Sequence, residues 1–178
     1  MRVLSWNIQW GRGIDGRVDL ARTAAAIRAF GAEVVCLQEV AVNHPGLPGM
    51  RNDGGADQVA RLCELLPGHA AIYGAGSDLI GEAGEGGGRR LFGQLILSRL
   101  PVLQVFRHLL PWPADPAVPS MQRVAVEAVV AAPGFPGRAL RVVTTHLEYY
   151  SAVQRTAQAA ACAADRPSTP RRSTRTWC

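Results

Sequence analysis

Apolar and polar positions change period several times along the chain, and each change marks an element. "RVLSWNI" alternates around Val3 and Leu4 with a β-rich composition, then breaks at "WGRGIDGR", whose three glycines mark a loop. In "DLARTAAAIRAFG", Leu20, Ala24, Ile27 and Phe30 recur at helical spacing, with Asp19 placed to cap the first turn and Gly31 to stop the last. "AEVVCLQEV" follows as a buried strand over 34–37 that ends in the polar Gln38 and Glu39. Strand, helix and strand in that order predict a parallel pair in a layered α/β arrangement.

Further on, "NHPGLPGMRNDGGAD" predicts a long surface loop, "QVARLCELL" a helix and "HAAIYG" a strand. "GAGSDLIGEAGEGGGRR" is poor in large apolar residues and predicts a second, mobile loop. "LFGQLILSRLPV" is a strand and turn in which Pro101 ends regular pairing, and "LQVFRHLLPW" another strand before the loop "PADPAVPS". "QRVAVEAVVAA" and "RALRVVTTHL", separated by "PGFPG", have the pattern of an antiparallel hairpin. After the helical "YYSAVQRTAQAAACAA" the pattern fails. The last residues carry four arginines among Pro, Ser and Thr, which cannot supply a core element. The expected organisation is one domain over 1–160 and an unrelated, disordered basic tail over 161–178.

Composition narrows the class. In 178 residues, 48% hydrophobic and 19% charged, there is material for a folded core and no apolar run approaching the ~18 residues of a membrane span. With a start that moves directly into a strand, a cytoplasmic protein is the expectation. The four cysteines form no C-x-x-C pair, and Cys36 reads as core. Of the formal charge of +5, the stretch from Ala159 onward contributes +3, so the body is close to neutral. All 19 basic residues are arginine, so arginine number alone is no evidence of phosphate binding.

Several strands end in polar residues that packing does not require: Asn7, Gln38 with Glu39, Arg99 and His146. Sites collect beyond strand ends, where backbone pairing stops and side chains can converge. Taken together and in order, "LSWNIQ", "VVCLQEV", "FGQLILSRLPV", "QRVAVEAVV" and "VVTTHLEYYSAVQRTAQ" resemble the endonuclease/exonuclease/phosphatase superfamily, the metal-dependent phosphohydrolases similar to deoxyribonuclease I. The resemblance covers roughly 1–160. It implies an α/β (α+β) fold, here an incomplete four-layer β-sandwich with helices outside, comprising the first sheet and the start of the second.

The same resemblance implies roles. Glu39 is the metal-binding glutamate for Mg²⁺, or Mn²⁺ in its place, a cation that keeps much of its hydration. Asn7 is its neutral neighbour at the metal or the phosphate. His146 hydrogen-bonds the scissile phosphate and serves the leaving group, and Arg123 steadies the phosphate with a planar fork. Arg99 is expected to brace a loop, Gln94 to be secondary, Arg155 and Gln158 to be structural, and Tyr149 and Tyr150 to pack or to stack on a base or sugar. The substrate is a phosphoester in a nucleic acid, an inositol phosphate or a phospholipid headgroup.

The family pattern continues with "GDFN"-like and "SDH"-like segments that do not follow His146 here. That leads to the expectation of a truncated chain, with a catalytic apparatus lacking its later acids and with inactivity as one outcome. It also leads to the expectation of an uncovered inner sheet face prone to self-association. The alternatives are a non-catalytic remnant and a nucleic-acid binder acting through the basic tail.

Overall fold

The structure is a computed structural model and describes residues 1–50, 57–81, 88–112, 115 and 117–164. Strand β1 (Val3–Asn7), helix α1 (Leu20–Phe30) and strand β2 (Val34–Val42) form the expected unit, with β1 and β2 parallel and Asn7 opposite Gln38. The Asp19 carboxylate accepts the Arg22 N–H at 2.9 Å, and Gly31 closes the helix at φ 66°, a left-handed conformation that costs glycine nothing. Helix α2 (Gln58–Leu65) and strands β3 (Ala70–Ile80) and β4 (Arg89–Ser98) follow, giving a sheet of order β1-β2-β4-β3. Strands β5 (Val102–Leu109), β6 (Val124–Ala131) and β7 (Ala139–Thr145) make a second, antiparallel sheet in sequence order. Helix α3 (Ala152–Ala164) ends the described chain.

Alternation along the strands builds two cores. On one face of the first sheet, Val35, Leu37, Leu95 and Leu97 pack with Ala24 and Ile27 of α1 and Leu62 of α2. On the other, Val34, Cys36, Ile72 and Ile96 pack with Val124, Val126, Ala128 and Val130 of β6. Over β2, β3 and β4 the inner face expected to lie bare is covered by the second sheet, and these residues are all buried, while β1 stays largely exposed, with Val3 at 44% and Trp6 at 38%. Large exposed apolar side chains lie elsewhere in the second sheet, at Leu103, Phe106, Leu109 and Val143. Burial between the sheets pushes the Cys36 thiol up to about 11, in keeping with an inert core cysteine.

The stretch read as a mobile loop over 74–90 is largely strand. Residues 74–80 belong to β3 and pair antiparallel with β4, while 82–87 lie outside the described residues. Small residues there reflect close approach, which sequence composition does not separate from looseness. A Cβ on Gly74 would collide with Val126 Cγ2, and one on Gly76 would meet the Gln122 carbonyl oxygen at 2.6 Å. Of the tail expected to be disordered over 161–178, residues 161–164 continue helix α3, and 165–178 lie outside the described residues. Among the described residues no helix is long and apolar enough to cross a membrane.

Gly74→Ala is expected to lower the unfolding free energy by about 1–3 kcal/mol through overpacking, and by less in a Val126→Ala background. Urea melts of the two pairs measure this, and equal losses in both backgrounds would mean that the sheets do not meet at this point.

Candidate active site

The first sheet delivers an acid and an amide to one end of the gap between the sheets. In the β2–β4 register Gln38 lies opposite Gln94 and Val40 opposite Gly93, leaving Glu39 as one extra residue with φ 59°. This bulge changes the parity of the strand, so Val40 joins Val35 and Leu37 in the helix-side core while Glu39 leaves the pleat. The strand thus runs on to Val42, past the polar residues where its end was expected. Beside it, β1 ends in a tight turn in which Gln9 and Trp10 also take positive φ, 47° and 45°. The Asn7 side-chain Oδ1 accepts the Gln9 N–H at 2.9 Å, which turns its Nδ2 toward Glu39 Oε1 at 3.1 Å.

The second sheet brings the bases. Ala125 of β6 pairs with Thr145 of β7, so Arg123, just before β6, and His146, just after β7, are neighbours. Arg123 Nη1 lies 3.1 Å from His146 Nδ1. His146 Nε2 lies 3.7 Å from Glu39 Oε1 and 3.5 Å from Asn7 Nδ2. Gln38 closes the gap behind them, donating to Thr144 Oγ1 across the two sheets at 2.8 Å. All four predicted site residues therefore converge in one place.

Arg123 is 8% exposed and directs Nε and Nη2 to Glu148 Oε2 at 3.3 and 3.2 Å. Glu148, 1% exposed, accepts the Tyr150 N–H at 3.0 Å and donates its own N–H to Gln158 Oε1 at 2.8 Å. Burial works to raise the Glu148 carboxyl, but the Tyr150 N–H and the Arg123 guanidinium outweigh it and hold its pKa below the usual carboxylate value. Burial of the His146 ring, helped by the charge of Arg123, holds its pKa below the usual imidazole value against the pull of Glu39 and Glu148.

The endonuclease/exonuclease/phosphatase family model matches residues 4–172, spanning every element just described. The chain belongs to that family. Among solved structures it is similar to an endonuclease/exonuclease/phosphatase from Beutenbergia cavernae DSM 12333, at 27% identity and TM-score 0.72, with 92% of this chain and 43% of that one covered. It shares its fold with humanized D. rerio TDP2, at 22% identity, TM-score 0.57 and coverage of 90% and 56%. The same holds for the human Nocturnin catalytic domain with bound sulfate anion, at 16% identity, TM-score 0.53 and coverage of 92% and 56%. The chain thus spans about half the length of these structures. No curated protein matches it.

Within this family fold, the oxygen donors near a cation at Glu39 are its own carboxylate and the Asn7 Oδ1, which here accepts the Gln9 N–H while Nδ2 faces Glu39. No cluster of three or more His, Cys, Asp or Glu suited to a metal occurs among the described residues. One carboxylate with a neutral oxygen donor fits a hard cation that retains most of its water, and does not fit zinc, which takes nitrogen and sulfur ligands. Glu148 is the residue that sequence reading passed over. Its only signal was an acid two positions after the histidine in "HLE". Arg155, as expected, is structural, donating to the carbonyls of Glu148 and Tyr149 at 2.9 and 2.8 Å. Gln158 holds the Pro111 carbonyl at 3.2 Å as well as Glu148, and Arg99 braces the Gly31 carbonyl at 2.9 Å. Gln94 is buried, and its Oε1 has no hydrogen-bond partner among the described residues. Tyr149 and Tyr150 are 75% and 68% exposed and touch each other edge to face at 5.1 Å.

The left-handed backbone at Glu39 gives a direct test of the bulge. Glu39→Gly is expected to be more stable than Glu39→Ala by about 1 kcal/mol, because only the glycine occupies that conformation without strain. Thermal or urea denaturation of the two variants measures it; an alanine variant as stable as the glycine one would exclude a strained bulge.

Proposed function

We propose that the chain carries Mg²⁺-dependent phosphoester hydrolysis, with Mn²⁺ as a substitute cation. Glu39 and Asn7 hold the cation and His146 meets the phosphate. The observation that carries this reading is the approach of His146 Nε2 to within 3.7 Å of Glu39 Oε1, with one sheet supplying each residue. An acid for a cation and a donor for an oxyanion then lie on opposite walls of one gap.

The charges support the same reading. Arg123 is neutralised by Glu148 at 3.2 Å, and the His146 pKa is lowered, so the Glu39 charge dominates the mouth of the gap at neutral pH. A phosphate approaching an unopposed carboxylate is repelled, and a bound divalent cation reverses that sign and acts as a Lewis acid on the phosphoryl oxygens. On the protein side, the Asn7 amide orients Glu39 and adds no negative charge. His146 donates from Nε2 to an oxygen of the phosphate or to the departing oxygen, as water bonds to phosphorus, loses its proton to solvent, and the P–O bond to the leaving group breaks. Nucleic acids, inositol phosphates and phospholipid headgroups all present that group.

Turnover of bis(p-nitrophenyl) phosphate with and without Mg²⁺ tests the proposal. Hydrolysis is expected to require the cation, to stop with EDTA and in Glu39→Gln, and to fall by about 10²–10⁴-fold in kcat in His146→Ala. Cation-independent hydrolysis, an active Glu39→Gln variant or a folded protein with no hydrolysis would each overturn it.

A further inference from the structure

Resting on the hydrolase reading, we propose that Glu148 is a positioning residue which, through Arg123, fixes the His146 ring with its Nε2–H directed into the gap between the sheets. A guanidinium is a donor at every nitrogen and cannot accept. Its Nη1 stands 3.1 Å from His146 Nδ1, so a hydrogen bond there requires Nδ1 to be the bare nitrogen. The neutral ring then carries its proton on Nε2.

A competing contact points the other way and is weaker. Asn7 Nδ2 is also a donor and lies 3.5 Å from Nε2, at the outer limit for such a bond, whereas it lies 3.1 Å from Glu39 Oε1. The ring cannot accept at both nitrogens. The shorter and charge-assisted contact from Arg123 decides the tautomer. Nε2–H then faces Glu39 Oε1 across 3.7 Å, beyond hydrogen-bond length, and remains available to an incoming phosphate oxygen.

Glu148 makes this arrangement rigid. Two nitrogens of Arg123 converge on its Oε2, its Oε1 is tied to the Tyr150 N–H at 3.0 Å, and its backbone is pinned by Gln158 on α3. A guanidinium held along one edge cannot rotate away from the imidazole. Arg123 therefore acts on the phosphate through the ring, in place of the direct fork that its sequence context implies.

Long-range ¹⁵N correlation spectra of the imidazole rings in the full chain test this, beside kcat and KM for bis(p-nitrophenyl) phosphate in Mg²⁺. Wild-type His146 is expected to be protonated on Nε2 and bare on Nδ1. In Glu148→Gln the ring is expected to lose its single tautomer while His44, His69 and His108 keep theirs, with kcat reduced about 10- to 100-fold and KM little changed. Glu148→Asp, which keeps the charge, should recover the tautomer and most of the turnover. A wild-type ring protonated on Nδ1 overturns the proposal without any variant, as does a Glu148→Gln ring that keeps the Nε2 tautomer. The expected tautomers in a protein that hydrolyses nothing would support the positioning and sink the hydrolase reading. Cation-dependent turnover with the opposite tautomer would do the reverse.

Discussion

One extra residue in β2 decides the architecture of the site. Without the bulge, position 39 would share the face of Val35 and Leu37 and carry a carboxylate into the core beneath α1 and α2, where an uncompensated charge is far too costly to keep. With it, Glu39 is expelled toward Asn7, and Val40 takes the vacated place in the core. The left-handed conformation costs on the order of 1–3 kcal/mol for a residue with a side chain. The burial of Val40 offsets part of that, since a fully buried valine is stabilising by about 1.5–3 kcal/mol. Positive φ outside glycine occurs at Glu39, in the turn after β1 at Gln9 and Trp10, and just past β2 at Asn43, and the first three flank the proposed cation ligands.

The second sheet contributes order of a different kind. Arg123 and Glu148 are both buried, and removing one member of such a pair typically costs about 3–5 kcal/mol because the other is left charged and unpaired. An apolar pair of similar volume would be at least as stable. What an apolar pair would not supply is a donor fixed against His146 Nδ1. Gln38 and Thr144 extend the same order across the gap, since their hydrogen bond ties β2 to β7 directly behind the reactive groups. The distance between Glu39 and His146 is therefore set by packing and polar ties in both sheets.

Periodicity made most of this fold legible. The β1-α1-β2 unit, the caps at Asp19 and Gly31, the hairpin of β6 and β7 and the helix after His146 are local features written in local pattern. The reading failed where small residues serve long-range contact, as at Gly74 and Gly76, because composition does not separate a close approach from a loose loop. It also ended β2 at its polar residues, because a bulge shows only when the partner strand is known. Asn7, Glu39 and His146 were legible as strand ends and Arg123 through the family resemblance, and the four do converge. Glu148 was not, since its meaning lies in a side chain 25 positions away, and nothing in "HLE" announces a buried carboxylate beneath an arginine.

The pairing of Arg123 with Glu148 also bears on the order of events in the proposed reaction. A protein that only captured anions would gain from an arginine left uncompensated. Here the guanidinium charge is cancelled locally, and the charge that faces His146 across the gap is the negative Glu39. At about 4 Å and an effective dielectric of about 20, one pair of like charges costs roughly 4 kcal/mol. A phosphate would therefore bind poorly beside a bare Glu39 and well beside one carrying a divalent cation. On this reading the cation is a condition for substrate entry as well as for chemistry, and Glu148, by silencing Arg123, is what makes it so.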